Sequence, residues 1–199
     1  MARKRVDVAV IIPDASPVLT LARIGRLELL TTFEVPIHIV DQVHYEITKP
    51  QNDPKGEIAQ FLTRNSNRIN IIETIVGTGF KVARERNPKT RSAGLGEAAV
   101  SEYAVRLRKT GTPGFVPLVL FEDPDVLELP VADLAGIYLI NTTAWLFGLY
   151  DCGVLPDGLE LIDKVNSYRR TPMERIDREA RTKKVKAVWR RRIKNADPS

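Results

Sequence analysis

The run Val-Asp-Val-Ala-Val-Ile-Ile-Pro-Asp at residues 6–14 sets the first constraint on the fold. It is β-branched and apolar up to residue 12, as a buried strand requires, and then stops at Pro13 and Asp14. Short apolar runs of the same kind recur at residues 37–40, 69–75, 117–121 and 137–140. Between them lie stretches with helical spacing. Residues 18–30 carry Leu19, Ala22, Ile24, Leu27 and Leu30 at near-helical intervals, and residues 95–108 do the same with Leu95, Ala98, Ala99, Val100, Ala104 and Leu107. Further helices are expected over 41–49, with Asp41 as N-cap, and over 57–64, 144–150, 159–168 and 173–194. Residues 50–56 read as a loop, and the polar residues 77–93, with Gly77, Gly79 and Pro88, as an exposed connection.

Strands alternating with helices predict an α/β fold around a mostly parallel sheet. Ligands of such sheets bind beyond the carboxyl ends of the strands. Three of the expected strands end there in polar groups: Asp14, the pair Glu122-Asp123, and Asn141-Thr142-Thr143.

Composition narrows the chemistry. The 199 residues suit one domain with an appendage. No apolar run approaches the roughly 18–20 residues needed to span a bilayer, which argues against a membrane role. The basic N-terminus followed by apolar residues 8–12 has the start of a signal peptide, but Pro13 and Asp14 interrupt it too early. Cys152 is the only cysteine, so no internal disulfide can form, which fits a reducing cytoplasm. With two histidines, His38 and His44, and one cysteine, a structural zinc site is excluded in practice, and any metal must be held by oxygen.

Candidate oxygen ligands are Asp14, Glu122, Asp123 and Asp125 beside apolar strands, Glu46 on a helix next to Val43 and Ile47, and Glu97 in Gly-Leu-Gly-Glu-Ala-Ala. Burying a lone carboxylate costs several kcal/mol unless it is paired or bound to metal. A cluster of carboxylates repels itself, and a divalent cation removes that penalty. Magnesium favours such hard donors and keeps waters of low pKa, the natural nucleophile against a phosphodiester. Each acid also has a plainer reading. Asp14 can cap a turn, Glu97 can favour the positive end of its helix, Glu46 can pair with Lys49, and residues 122–125 can form a polar turn.

The order of these pieces resembles the PIN-domain ribonucleases, which include VapC-like toxins of toxin–antitoxin systems. The matching segments are Val-Ile-Ile-Pro-Asp14-Ala-Ser-Pro-Val-Leu, Leu-Ala-Arg-Ile-Gly-Arg-Leu-Glu-Leu-Leu, Val-Asp-Gln-Val-His-Tyr-Glu46-Ile, Gly-Leu-Gly-Glu97-Ala-Ala and Leu-Val-Leu-Phe-Glu122-Asp123, over roughly residues 6–155. The resemblance implies a three-layer α/β/α domain over residues 1–168. It also implies metal-dependent hydrolysis of RNA in the cytoplasm, a homodimer and a cognate antitoxin. It assigns Asp14, Glu97 and Asp123 to one or two magnesium or manganese ions, with Glu122 as the alternative to Asp123. Asp123 is preferred because its shorter side chain matches the usual Asp. Glu46 would bind or orient the attacking water, and Thr142 or Thr143 would lie near the pocket with Asp125.

The basic extension at residues 169–199 lies outside that resemblance. It holds 12 Lys and Arg against 4 Asp and Glu, which leaves 18 against 21 in residues 1–168. Val185, Val188 and Ile193 approximate one apolar stripe among Lys183, Lys184, Lys186, Arg190, Arg191 and Arg192, with Trp189 beside it. Three readings stay open: a grip on RNA phosphates with Trp189 stacking on a base, a dock for an acidic antitoxin or a second subunit, or a solvated tail. A non-catalytic binding module on the same scaffold is the rival to the enzyme as a whole.

Overall fold

The computed structural model describes residues 7–110, 115–122 and 136–167. Five strands, β1 (Asp7–Pro13), β2 (Ile37–Val40), β3 (Ile69–Ile72), β4 (Phe115–Phe121) and β5 (Tyr138–Asn141), form one sheet in the order β3-β2-β1-β4-β5. Every pairing is parallel. Seven helices accompany them among the described residues: α1 (Ala15–Arg23), α2 (Asp41–Ile47), α3 (Glu57–Arg64), α4 (Ile75–Arg86), α5 (Leu95–Thr110), α6 (Thr142–Asp151) and α7 (Gly158–Ser167). None of the described helices is long and apolar enough to cross a membrane.

Successive strand residues point to opposite faces. Val10, Ile11 and Ile12 are all buried, as are Leu118, Val119, Leu120 and Phe121, so helices cover both faces of the central strands. This is why those runs are continuously apolar rather than alternating. The edge strand β3 differs. Its Ile71 is exposed, and only Ile69 is fully buried.

Four local expectations are corrected here. The helix expected over 18–30 breaks at Gly25, whose φ of +69° suits glycine and ends α1. Gly25 N and Arg26 N donate to Ala22 O and Leu21 O at 2.9 and 2.8 Å, and Leu27–Thr31 then forms a separate 3-10 turn. Asp41 is not the N-cap of α2; Val40 takes that place and Asp41 opens the helix. The largest correction concerns residues 77–93, whose first ten residues belong to α4 instead of an exposed connection. The strand expected over 69–75 accordingly ends at Ile72.

Tertiary bonds explain α4. Thr74 caps it, its Oγ1 accepting from Gly77 N at 2.9 Å. Glu102 of α5 reaches across so that one carboxylate oxygen accepts from Ile75 N and Val76 N at 2.8 and 3.2 Å. Thr74 is itself held by the buried Asp41, whose carboxylate accepts from Thr74 Oγ1 at 2.7 Å, Thr74 N at 3.2 Å and Gln42 N at 2.9 Å. A Cβ on Gly77 would lie 1.8 Å from Asp41 Oδ2, so only glycine lets the helix approach this carboxylate. The glycines that argue against a helix by propensity are thus tolerated, and at Gly77 required, by packing.

His38 of β2 and Tyr103 of α5 tie helix to sheet, with Nδ1 and Oη 2.5 Å apart. Burial raises the Tyr103 pKa, partly offset by Arg106, so the phenol stays protonated. Burial lowers the pKa of both His38 and His44. The unfolded chain therefore takes up protons first as pH falls below the ordinary histidine value of about 6.5, and stability declines in that direction.

Two expected outcomes follow from these contacts. Asp41→Ala and Gly77→Ala each lower the unfolding free energy by about 2–3 kcal/mol in urea titrations; a loss under about 0.5 kcal/mol would remove this account of α4. The chain has two histidines. A His38→Phe/His44→Phe variant therefore loses the slope of stability with pH between about 7 and 5.5, and an unchanged slope would refute the assignment.

Candidate functional site

The chain runs outward from β1 to β2 and β3, then returns to lay β4 on the other side of β1. The order reverses between β1 and β4, and that reversal opens a crevice beyond their carboxyl ends. Asp14 is the first residue past β1, and its N–H continues the ladder by donating to Leu120 O at 2.8 Å. Glu122 directly follows β4. The register pairs Phe121 with Asn141, so Glu122 and Thr142 stand at the same level on adjacent strands. Asp14, Glu122 and Thr142 thus line one edge of the sheet in space although more than a hundred residues separate the first from the others.

Glu46 arrives from α2 and Glu97 from the first turn of α5. Gly96, buried, is the point where these elements converge. A Cβ built on it would lie 3.5 Å from Asp14 Oδ1, 3.6 Å from Glu46 Oε2 and 3.7 Å from Val43 Cγ2. Two carboxylates from separate elements therefore aim at one small space that glycine leaves open. Asp14 is only 5% exposed, whereas Glu46 and Glu97 are half-buried. The Glu46–Lys49 pairing, the plainer reading of Glu46, is absent among the described residues. Lys49 instead donates to Ser92 Oγ at 3.0 Å and lies 4.6 Å over the Tyr45 ring. His44, two residues before Glu46, has its pKa lowered by burial and so brings no positive charge at neutral pH.

At the end of β5, Asn141 Oδ1 accepts from Ala144 N at 2.7 Å and caps α6, which begins two residues earlier than expected. Thr142 and Thr143 are buried, and Thr142 Oγ1 has no hydrogen-bond partner among the described residues. Glu122 is half-buried. Asp123 and Asp125 lie outside the described residues, as do Lys183, Lys184, Lys186, Trp189, Arg190, Arg191 and Arg192. Among the described residues no three His, Cys, Asp or Glu side chains gather as a metal-holding group.

Comparisons with family models, curated proteins and solved structures return no match. The site therefore rests on its own geometry. Two of its features escape a reading by residue type. Gly96 belongs to the Gly-x-Gly-Glu pattern, but its use as the gap between two acids depends on where α2 packs. A basic groove formed by Lys49, Arg84, Lys89 and Arg91 is the other, because residues 77–93 carry no helical signal strong enough to place Arg84.

Gly96 has ordinary right-handed backbone and only van der Waals contacts around its missing Cβ. Gly96→Ala is expected to fold and to gain about 0.5–1 kcal/mol of stability from helix propensity. Its methyl fills the space between Asp14 and Glu46, so manganese binding by titration calorimetry weakens at least tenfold. Equal manganese affinity in the two proteins would show that the gap is not a binding site.

Proposed function

We propose that this chain is a magnesium- or manganese-dependent endoribonuclease on a three-layer PIN-like scaffold, working in the cytoplasm as the dimeric toxin of a toxin–antitoxin pair. The observation that carries the reading is the convergence of Asp14 and Glu46 on Gly96, at the reversal of strand order. The all-parallel five-stranded sheet is consistent with it.

The donor set fits a hard divalent cation. Magnesium keeps most of its waters and is commonly held by one or two carboxylates together with substrate phosphates, so a pair of acids is a sufficient start. When bound, the ion supplies neutralisation of the acids and of the charge that develops on a phosphodiester. Asp14, buried and fixed by its ladder bond, offers a rigid oxygen. Glu46, more exposed, orients the attacking water. Glu97 and then Asp123, or Glu122, complete the set, and the Thr142 hydroxyl is a donor for a phosphate oxygen.

The alternative is a non-catalytic module that binds nucleic acid or protein on the same scaffold. Cleavage of RNA by the full chain, with and without EDTA, decides between them. The nuclease reading expects cleavage that EDTA abolishes, and losses of about 100-fold or more in Asp14→Asn and Glu46→Gln, the scale of removing one electrostatic stabiliser. Cleavage by Asp14→Asn at the wild-type rate would exclude the proposed site. No cleavage by the wild type together with no heat of manganese binding would favour the module.

A further inference from the structure

The ends of α2 and α4 and the segment leading into α5 enclose an open groove of about 720 Å³. Lys49, Arg84, Lys89 and Arg91 line it, and no Asp or Glu does. None of the four cations has an ion-pair partner among the described residues. Uncompensated like charges held together repel each other, and the groove holds two of them in place with neutral contacts. Arg84 donates to Tyr45 Oη at 2.9 Å and lies 5.1 Å over the same ring that Lys49 covers. Lys49 also donates to Ser92 Oγ at 3.0 Å. Lys89 and Arg91 are exposed at the rim.

We propose that this groove binds the phosphates of a single-stranded polynucleotide and leads the strand to the Asp14–Glu46 pair. The groove and the acid pair draw on the same two stretches of chain. Lys49 follows Glu46 by three residues, just past the end of α2, and Ser92 lies four residues before Gly96. A polymer with regularly spaced anions can lay one phosphate in the groove and present the next to a cation held by the acids, whereas an acidic peptide would bring further carboxylates to that pair. The volume lies in the range of whole ligand pockets and exceeds what one phosphate needs. Tyr45 already carries two cations over its ring, so it positions charge rather than offering a bare stacking surface, and recognition through the backbone is independent of base. The choice of polynucleotide over other polyanions rests on the nuclease reading; the anion binding does not.

The test uses the full chain in EDTA, where the acids' metal plays no part, and follows binding of a fluorescein-labelled oligouridylate by anisotropy across a sodium chloride series. An Arg84→Gln/Lys89→Gln/Arg91→Gln variant should bind about tenfold more weakly near 0.1 M salt and lower the slope of log K against log salt by about 2, since each cation on a single strand contributes about 0.7. The basic residues 169–199 are unchanged, so the difference in slope belongs to the groove. Lys89→Gln/Arg91→Gln, both at the exposed rim, should lower it by about 1.4 without touching the Tyr45 contacts. Arg84→Lys/Arg91→Lys should restore the slope. Affinity within twofold and an unchanged slope in both Gln variants would overturn the proposal. So would groove-dependent binding of polyglutamate with none of the oligonucleotide, which would assign the groove to an acidic protein. The predicted losses in a chain that does not cut RNA would retire the nuclease reading alone and leave the groove standing.

Discussion

The pairing of β1 with β4 joins residues 7–13 to residues 115–121 across most of the chain, and the candidate site exists only because of it. A parallel ladder between such distant segments needs a long covered connection, and here that connection carries β2, β3 and the five helices α1 to α5. Once β4 lies against β1, the chain must continue on the far side, and the reversal of strand order leaves a crevice that no crossover fills. Asp14 enters that crevice through a backbone bond to β4, and so its position depends on the ladder and not on a flexible turn.

The parts of the fold visible in the sequence were those where burial on both faces demands uninterrupted apolar residues. Val10-Ile11-Ile12 and Leu118-Val119-Leu120 identify their strands because no position can afford a polar side chain. The helix α4 was invisible for the opposite reason. Its stability comes from Asp41 and Glu102, whose carboxylates reach its first turn from α2 and α5, and Gly77 and Gly79 mask it in any local count. Among the site residues, Asp14, Glu46 and Glu97 could be picked out as acids in apolar settings. That Asp14 and Glu46 share one gap, with Gly96 as its floor, depends on helix packing that no spacing in the chain encodes.

Charge is distributed around this gap in a consistent way. The acids lie at the edge of the sheet among buried apolar side chains, where low polarisability strengthens their mutual repulsion. Just past the end of α2 the sign changes, and every charged side chain lining the groove is a cation. Opposite charges this close would ordinarily neutralise each other through ion pairs. Here the pairing that α2 makes available, Glu46 with Lys49, is not formed, and Lys49 turns to Tyr45 and Ser92 instead. Lys49, Arg84, Lys89 and Arg91 thus stay without an ion pair among the described residues.

Two glycines meet carboxylates in different ways. Gly77 faces Asp41 so closely that a Cβ would overlap its oxygens, and Asp41 accepts three hydrogen bonds from the backbone and Thr74. That acid is enclosed and its acceptor capacity is used to cap and hold α4. Gly96 faces Asp14 and Glu46 differently: a methyl group there would meet one oxygen of each at ordinary van der Waals distance, 3.5 and 3.6 Å. Both glycines sit in first turns and neither needs an unusual backbone, so propensity would favour alanine at either place. At Gly77 sterics forbid it. At Gly96 sterics permit it, and what alanine would remove is the room between two acids, which is a property that matters to a bound cation and not to the packing of α5.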